Sequence, residues 1–419
     1  MDAANLILER GQPNVVTLAG LLAPGGFVDA SGFPDIASLR DTLAMRVGRV
    51  AALQRVAQRV DGEWTWRTAA PSLTHHVRLV EPDLLAQSAR DATGFERTCA
   101  RVVMKPLDAN RPLWEILLVP HAAEDRCGLI FRLHHAVADG LGAEALIASL
   151  ADSATGGTTA TAPARQNVDA VQPTRRPRIR GLGDFAAQTL AVFRRDVHSD
   201  VLLGPLGPTR DIAFADVDLS RLHDAARRLG GTINDVFLAA FGQGIRALLI
   251  AAGEAPPATL PVSSPVRLER QPGAGNATGV MLIDVPVGSA DPPVDLEHSV
   301  ALVAAATRRE KARARSVGTF RWMRTPRAAH LLMRFALHQR AVGAIASEMT
   351  GPPRTLHIGG SELIAAWPIA LLSGNVRAGV LAVSYAGRLC ISVQTDNSHL
   401  PPANVLAKAM RAALERMSQ

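Results

Sequence analysis

A strand that runs through a tight turn into a helix sets the class of fold this chain can adopt. The strand is CGLIFRLHH, Cys127 to His135, and the helix is GAEALIASLA, Gly142 to Ala151. Gly140 and Gly142 let the backbone turn sharply between them. Upstream, SLRDTLAMRVGRVAAL has the apolar spacing of a helix. The first ~150 residues are therefore mixed α/β.

A second α/β region begins near Gly204. IAFADVDL reads as a strand. SRLHDAARRLGG reads as a helix capped by Ser220, with Gly230 near its C-terminal end. TINDVFLAAFGQGIRALLIAAG reads as a buried helix. Thr232 or Asn234 caps it, and Asp235 suits the positive end of its dipole. GVMLIDVPV is another strand. HSVALVAAATRREKARARS and TPRAAHLLMRFALHQRAVGAIASEM carry helical spacing. VRAGVLAVSYAGRLCISVQTD reads as a hairpin turning at Ala386-Gly387, and ANVLAKAMRAALERM as a last helix. Between the regions, DSATGGTTATAPARQNVDAVQPTRRPRIRG is rich in Thr, Pro, Gly and Arg and has no period, which marks a partly disordered linker. The expected organisation is 1–155, a linker or crossover over 156–203, and 204–419.

Composition excludes several classes. With 47% apolar and 20% charged residues over 419, the chain can bury large cores. Only 4% is aromatic, which argues against a stacking platform for single-stranded nucleic acid. The formal charge of +7 is compatible with anionic membranes, nucleic acid or a phosphorylated cofactor and does not choose among them. Nucleic-acid binding rests on charge alone, and the RRPRIR cluster is first of all a solvated linker charge run. Cys99, Cys127 and Cys390 form no metal or redox spacing and read as reduced thiols of a cytoplasmic protein. MDAANLILERGQPN lacks the pattern of a secretory signal. No apolar run approaches the ~18 residues needed to span a bilayer. Membrane contact is therefore expected to be peripheral. The stretch Phe320–Arg340, which alternates apolar residues with arginines, reads first as a core-facing helix with a charged outer face and second as the place where such contact would occur.

The histidines carry the functional question. In an extended LIFRLHH, Leu129, Phe131, Leu133 and His135 share one face, and Ile130, Arg132 and His134 the other. The two imidazoles then diverge, which counts against one shared metal. Asp139 lies four residues after His135 and can orient it, or pair with a distant Arg and lock the turn. A neutral His is the commonest general base near pH 7. A second pair, His75 and His76, has no following Asp-Gly and reads as structural. On these grounds alone a general base, a structural pair at a strand end and a metal site all stand open.

HHAVADG matches the HHxxxDG signature of the CoA-dependent acyltransferase superfamily. The surrounding segments resemble bacterial wax ester synthase/diacylglycerol acyltransferases more closely. PLDANRPLWEILLV carries the PLW segment, Pro112-Leu113-Trp114. GGTINDVFLAA carries the Asn-Asp motif, Asn234-Asp235. LPVSSPVR is similar to the strand ending in Arg, here Arg267. SEMTGPP is similar to the Ser…Gly-Pro segment with Ser347, Thr350 and Gly351. VSYAGRLCISVQTDNSHLP is similar to the C-terminal hairpin. Glu348-Met349-Thr350-Gly351-Pro352 stands where the family usually has Asn-Val-Pro-Gly-Pro.

The resemblance implies two chloramphenicol acetyltransferase-like α/β domains, each a mixed sheet flanked by helices, with an active-site channel at their interface. It implies acyl transfer from acyl-CoA, a co-substrate rather than a bound cofactor, to diacylglycerol or a long-chain alcohol, with no metal and no covalent intermediate. His135 is then the general base, with His134, Asp139 and Gly140 shaping its turn. Arg267 pairs with Asp139. Asn234 and Asp235 serve chiefly as a helix cap. Ser347, Thr350 or backbone N–H groups near Gly351 are oxyanion donors, and Pro112, Leu113 and Trp114 are core or channel wall. The setting implied is cytoplasmic, with peripheral contact at the inner membrane or lipid inclusions. A specialised-metabolite hydroxyl or amine as acceptor, and a non-catalytic acyl-lipid binder, are the rival readings.

Overall fold

The structure is a computed structural model, and it describes residues 6, 13–86, 92–138, 140–152, 196–267, 278–288, 295–317 and 336–419. In chain order these build β1 (Val15–Leu22), α1 (Ile36–Arg49), β2 (Arg55–Val60), β3 (Glu63–Thr68), β4 (Val77–Leu79), α2 (Ala92–Val102), β5 (Trp114–Ala123), β6 (Arg126–His134) and α3 (Gly140–Leu150). Next come β7 (Arg210–Asp218), α4 (Leu219–Arg228), α5 (Ile233–Ala251), β8 (Thr259–Arg267), β9 (Thr278–Pro286) and α6 (Leu296–Val317). The last are β10 (Ala344–Thr350), β11 (Leu356–Ile358), β12 (Ser361–Ile369), β13 (Ala378–Tyr385), β14 (Arg388–Asp396) and α7 (Ala403–Met417).

Two six-stranded mixed sheets result. The first has the order β11-β12-β1-β6-β5-β4, and the second β7-β14-β13-β10-β8-β9. Strands β2 and β3 form a separate hairpin. The sheets do not divide the chain at one point. After β10, in the second sheet, the chain crosses to add β11 and β12 to the first, then returns as β13. The expected unit 204–419 therefore lends residues 356–369 to the first sheet, because β1 offers β12 an antiparallel edge from Thr17↔Ile369 to Leu22↔Leu363.

The crossover is fixed by the only tyrosine of the chain. The buried Tyr385 hydroxyl accepts the Leu356 N–H at 2.8 Å and donates to the Leu363 carbonyl at 2.6 Å. Trp367 of β12 stacks on Phe214 of β7 at 4.5 Å and donates its indole N–H to Asp216 at 2.7 Å. The edge strand β7 is met from the first half of the chain, where Glu96 on α2 accepts the Phe214 N–H at 2.6 Å. That bond occupies one backbone donor of an edge strand and ties α2 to the second sheet.

Helix α5 is buried on nearly every side, and residues 236–242 show why. A Cβ at Gly242 would lie 2.1 Å from the Pro286 carbonyl, so only glycine lets the helix approach β9 this closely. By length and composition α5 is apolar enough to cross a membrane, which corrects the expectation that no segment is, but two-thirds of it is packed inside the protein. Two further expectations fail locally. Asp218, not Ser220, caps α4, accepting the Arg221 N–H at 2.9 Å. GAIASEM, read as the end of a helix, is strand β10, because β13 and β8 flank it in parallel register. The Ala386-Gly387 turn stands, with φ of 46° and 81°. Residues 156–195 of the expected linker, including RRPRIR, and the 320–335 part of the arginine-rich helical stretch lie outside the described residues, while Val197, Leu202 and Leu203, expected in the linker, pack into the core of the second sheet.

Candidate active site

β6 is an interior strand, paired with β1 on one side and β5 on the other. It ends at His134, whose Cα partner is Val15. His134 is fully buried. Its backbone N–H donates to the Leu113 carbonyl at 3.0 Å, and its carbonyl accepts the Val137 N–H at 2.9 Å. Its ring closes the same turn, Nδ1 accepting the Ala136 N–H at 3.0 Å. His134 is thus a turn-forming residue that shapes the backbone through which the chain leaves the sheet.

His135 lies in that turn, one residue past the strand, and is half-buried. Its backbone N–H donates to the Asn14 carbonyl at 2.9 Å. The strand alternation used to place it with Leu133 therefore does not reach it; turn geometry sets its direction instead. Asp139 lies outside the described residues. Helix α3 begins at Gly140.

The start of α3 meets the other sheet. A Cβ at Gly140 would sit 3.3 Å from Sδ of Met349 on β10, and one at Gly351 would lie 3.6 Å from Oε1 of Glu144 on α3. The segments HHxxxDG and SEMTGP, over 200 residues apart in sequence, are in this way placed side by side. Met349 packs on the core of the first sheet. By strand alternation Ser347, nearly buried, shares its face. Thr350 is exposed. The Gly351 N–H is already donated to the Ser384 carbonyl at 3.0 Å, so it is not a spare oxyanion donor. A Cβ there would approach that carbonyl to 2.6 Å, which explains the glycine. Glu348 lies on the opposite, helix-covered face. Burial raises its pKa, opposed by Lys311 and His223.

The PLW segment supports the turn from behind. Pro112, Leu113 and Trp114 are buried, and Leu113 supplies the carbonyl that holds His134. Trp114 donates its indole N–H to the Leu53 carbonyl at 2.8 Å and stacks on His76 at 4.6 Å, so it is core. Asn234 and Asp235 begin α5. Thr232 is the N-cap, and the Asp235 carboxylate accepts both the Thr232 N–H and hydroxyl at 2.8 Å, a capping box. Arg267 ends β8, at the same end of the second sheet as Thr350; its side chain lies outside the described residues.

Two features went unread in the sequence. Arg132, on the face of β6 that carries His134, is buried and paired with Glu115 of β5, which also binds Arg78 at 2.9 Å. Arg132 donates as well to the Lys105 carbonyl, fixing the segment after α2. The signal was a lone acid inside the apolar strand WEILLV. The second feature is a small cleft between the sheets. Val15 and Thr17 of β1, Met104, Arg210 of β7, Gln394 of β14 and the chain at Ile369–Leu372 line it.

Two mixed sheets joined by a crossing strand pair, with an HHxxxDG turn docked on the second sheet, define the acyltransferase fold that also includes condensation domains. Residues 2–197 match the wax ester synthase/diacylglycerol acyltransferase catalytic domain, and residues 274–418 the C-terminal domain of the same enzymes. The chain belongs to the wax ester synthase/diacylglycerol acyltransferase family. It is 26% identical over 390 residues to tgs1 of Mycobacterium tuberculosis, named as a probable diacylglycerol O-acyltransferase, covering 85% of this chain and 79% of that one. In fold it is similar to the wax ester synthase/diacylglycerol acyltransferase of Marinobacter aquaeolei VT8, with a TM-score of 0.71 and 20% identity over 99% of this chain and 97% of that one. It is also similar to the starter condensation domain of rhizomide synthetase, solved with C8-CoA and Leu-SNAC, with a TM-score of 0.59 and 16% identity over 99% and 92% of the two chains.

Proposed function

We propose that this chain moves a fatty acyl group from acyl-CoA to the hydroxyl of diacylglycerol or a long-chain alcohol, with His135 as general base. The observation that supports the reading is the contact of Gly140, at the start of α3 just after the histidine turn, with Met349 of β10, the strand that also holds Ser347. A reaction between two substrates needs such a junction, where both can be held in register.

His135 takes the hydroxyl proton as the oxygen attacks the thioester carbonyl carbon. The tetrahedral oxyanion is stabilised by a donor aimed at it, and the Ser347 hydroxyl is the group we assign. As the intermediate collapses the C–S bond breaks, His135 returns the proton to sulfur, and ester and CoA leave. Base catalysis contributes roughly 10²- to 10⁴-fold. His134 and Trp114 hold the turn and touch no reacting atom.

The test is a panel of acyl-CoAs and acceptors with thiol release followed by dye. Turnover with diacylglycerol or long-chain alcohols supports the reading. Turnover only with small polar alcohols or amines moves the chain to specialised-metabolite acylation, and binding without turnover makes it a lipid-binding relative.

A further inference from the structure

Arg132 and Glu115 are 1% and 5% exposed and face each other across β6 and β5 as an ion pair. A buried ion pair is a poor way to stabilise a fold, because taking two charges out of water offsets most of their attraction. This pair is not fully satisfied either: the Arg132 Nε is buried with no partner among the described residues. Such an arrangement asks for a role other than stability. Its bonds show what it holds. One terminal nitrogen of the guanidinium donates to Glu115, and the other to the Lys105 carbonyl in the segment after α2. Glu115 is itself steadied by Arg78 at 2.9 Å, and Arg78 by Glu81 at 3.1 Å. The fork therefore ties the end of the segment 103–105 to β6, two residues before His134 and three before His135.

Resting on the acyltransferase reading above, we propose that Arg132 and Glu115 are positioning residues for acyl transfer: together they lock the segment 103–105 against the strands that carry the base turn. The strand register supports this. Arg132 pairs with Thr17 of β1, and His134 with Val15. Val103 and Met104 meet the same Val15 and Thr17 at the small cleft between the sheets. The residue before Val15, Asn14, holds the His135 N–H by its carbonyl. One guanidinium thus sets the spacing between the segment 103–105 and the strand end that holds the base. A planar fork suits the task, since it fixes two acceptors at a set distance and angle, which the point charge of a lysine does not. Neither residue touches a reacting atom. Their effect passes through the geometry in which base, hydroxyl and thioester meet, where an error of about 1 Å costs on the order of 10²-fold.

The test uses the full chain with Arg132→Lys, which keeps a charge against Glu115, and with Arg132→Met combined with Glu115→Leu, which removes both charges at similar volume. In the double variant Arg78 keeps Glu81. Thermal midpoint, kcat, KM for acyl-CoA and amide hydrogen exchange over residues 103–105 are measured for each. The double variant unfolds at a midpoint no lower than the parent, as apolar replacement of a buried pair allows. In both variants kcat falls roughly 10- to 100-fold, while KM for acyl-CoA is unchanged. Exchange at 103–105 quickens about tenfold, the scale of one lost hydrogen bond. A pair that only stabilises gives a different pattern, with parental kcat wherever the midpoint is parental. Parental kcat in either folded variant, a loss of kcat with exchange at 103–105 unchanged, or a rise in KM alone overturns the proposal. Should the double variant fold poorly, Arg132→Lys decides by the same readings. A parent that transfers no acyl group while the variants exchange faster means that the acyltransferase reading has failed and the anchor stands. An active parent whose kcat and exchange ignore both changes means the reverse.

Discussion

His76 and His134, one from each histidine pair, are both buried but are bonded in opposite senses. His76 donates Nδ1–H to the Trp114 carbonyl at 2.7 Å, while its buried Nε2 has no partner among the described residues. A second proton would have no acceptor there, and burial pushes its pKa down to about 4. The folded chain thus binds fewer protons than the unfolded chain between the ordinary histidine value, 6.5, and about 4. The stability contributed by His76 is complete above pH 6.5 and is lost as pH falls through that window. The thermal midpoint of the parent should therefore fall more steeply from pH 6.5 to 4 than that of His76→Asn, whose amide can still donate to the carbonyl; parallel curves contradict this. His134 instead accepts the Ala136 N–H. The sequence set the two pairs apart by the Asp-Gly that follows only one. It could not show that His134 bonds its own turn, because that depends on where β6 stops.

Among the elements, those fixed by local bonding were the legible ones. The cap of α5 needs only Thr232 and Asp235, three residues apart, and both were singled out from the sequence. Replacing Thr232 by Ala removes the side-chain half of the capping box and should cost about 1–2 kcal/mol in denaturant unfolding. The loss should not add to that of Asp235→Ala, since the two share the same bonds. Additive losses would mean the pair acts separately. β10 was not legible. Its alanines and Met349 fit a helix as well as a strand, and the choice is made by β13 and β8, which lie far off in sequence. The cap of α4 failed for a smaller reason. Asp218 and Ser220 are both capping types, and the bond between them, at 2.6 Å, leaves Asp218 to take the backbone N–H.

At the level of the whole molecule, the site exists because the chain crosses between sheets. β10 ends beside α3, β11 and β12 fill the edge of the first sheet, and Tyr385 and Trp367 hold the crossing in place. Trp367→Ala removes the stack on Phe214 and the bond to Asp216. It should destabilise by about 3–5 kcal/mol and lower acyl transfer with it; an unchanged unfolding midpoint would show that the sheets do not depend on this contact. None of this crossing was visible in local patterns, since the partner of β12 is β1, more than 300 residues away. The motif order along the chain was legible, through resemblance, and so was the meeting of HHxxxDG with the Gly-Pro segment. The central claim is narrower than the fold: one imidazole, His135, takes the acceptor proton. The direct measurement is thiol release from acyl-CoA by His135→Ala, with acyl-CoA binding measured in parallel. We predict that the rate falls roughly 10²- to 10⁴-fold while binding is unchanged. A rate near that of the parent would contradict the account.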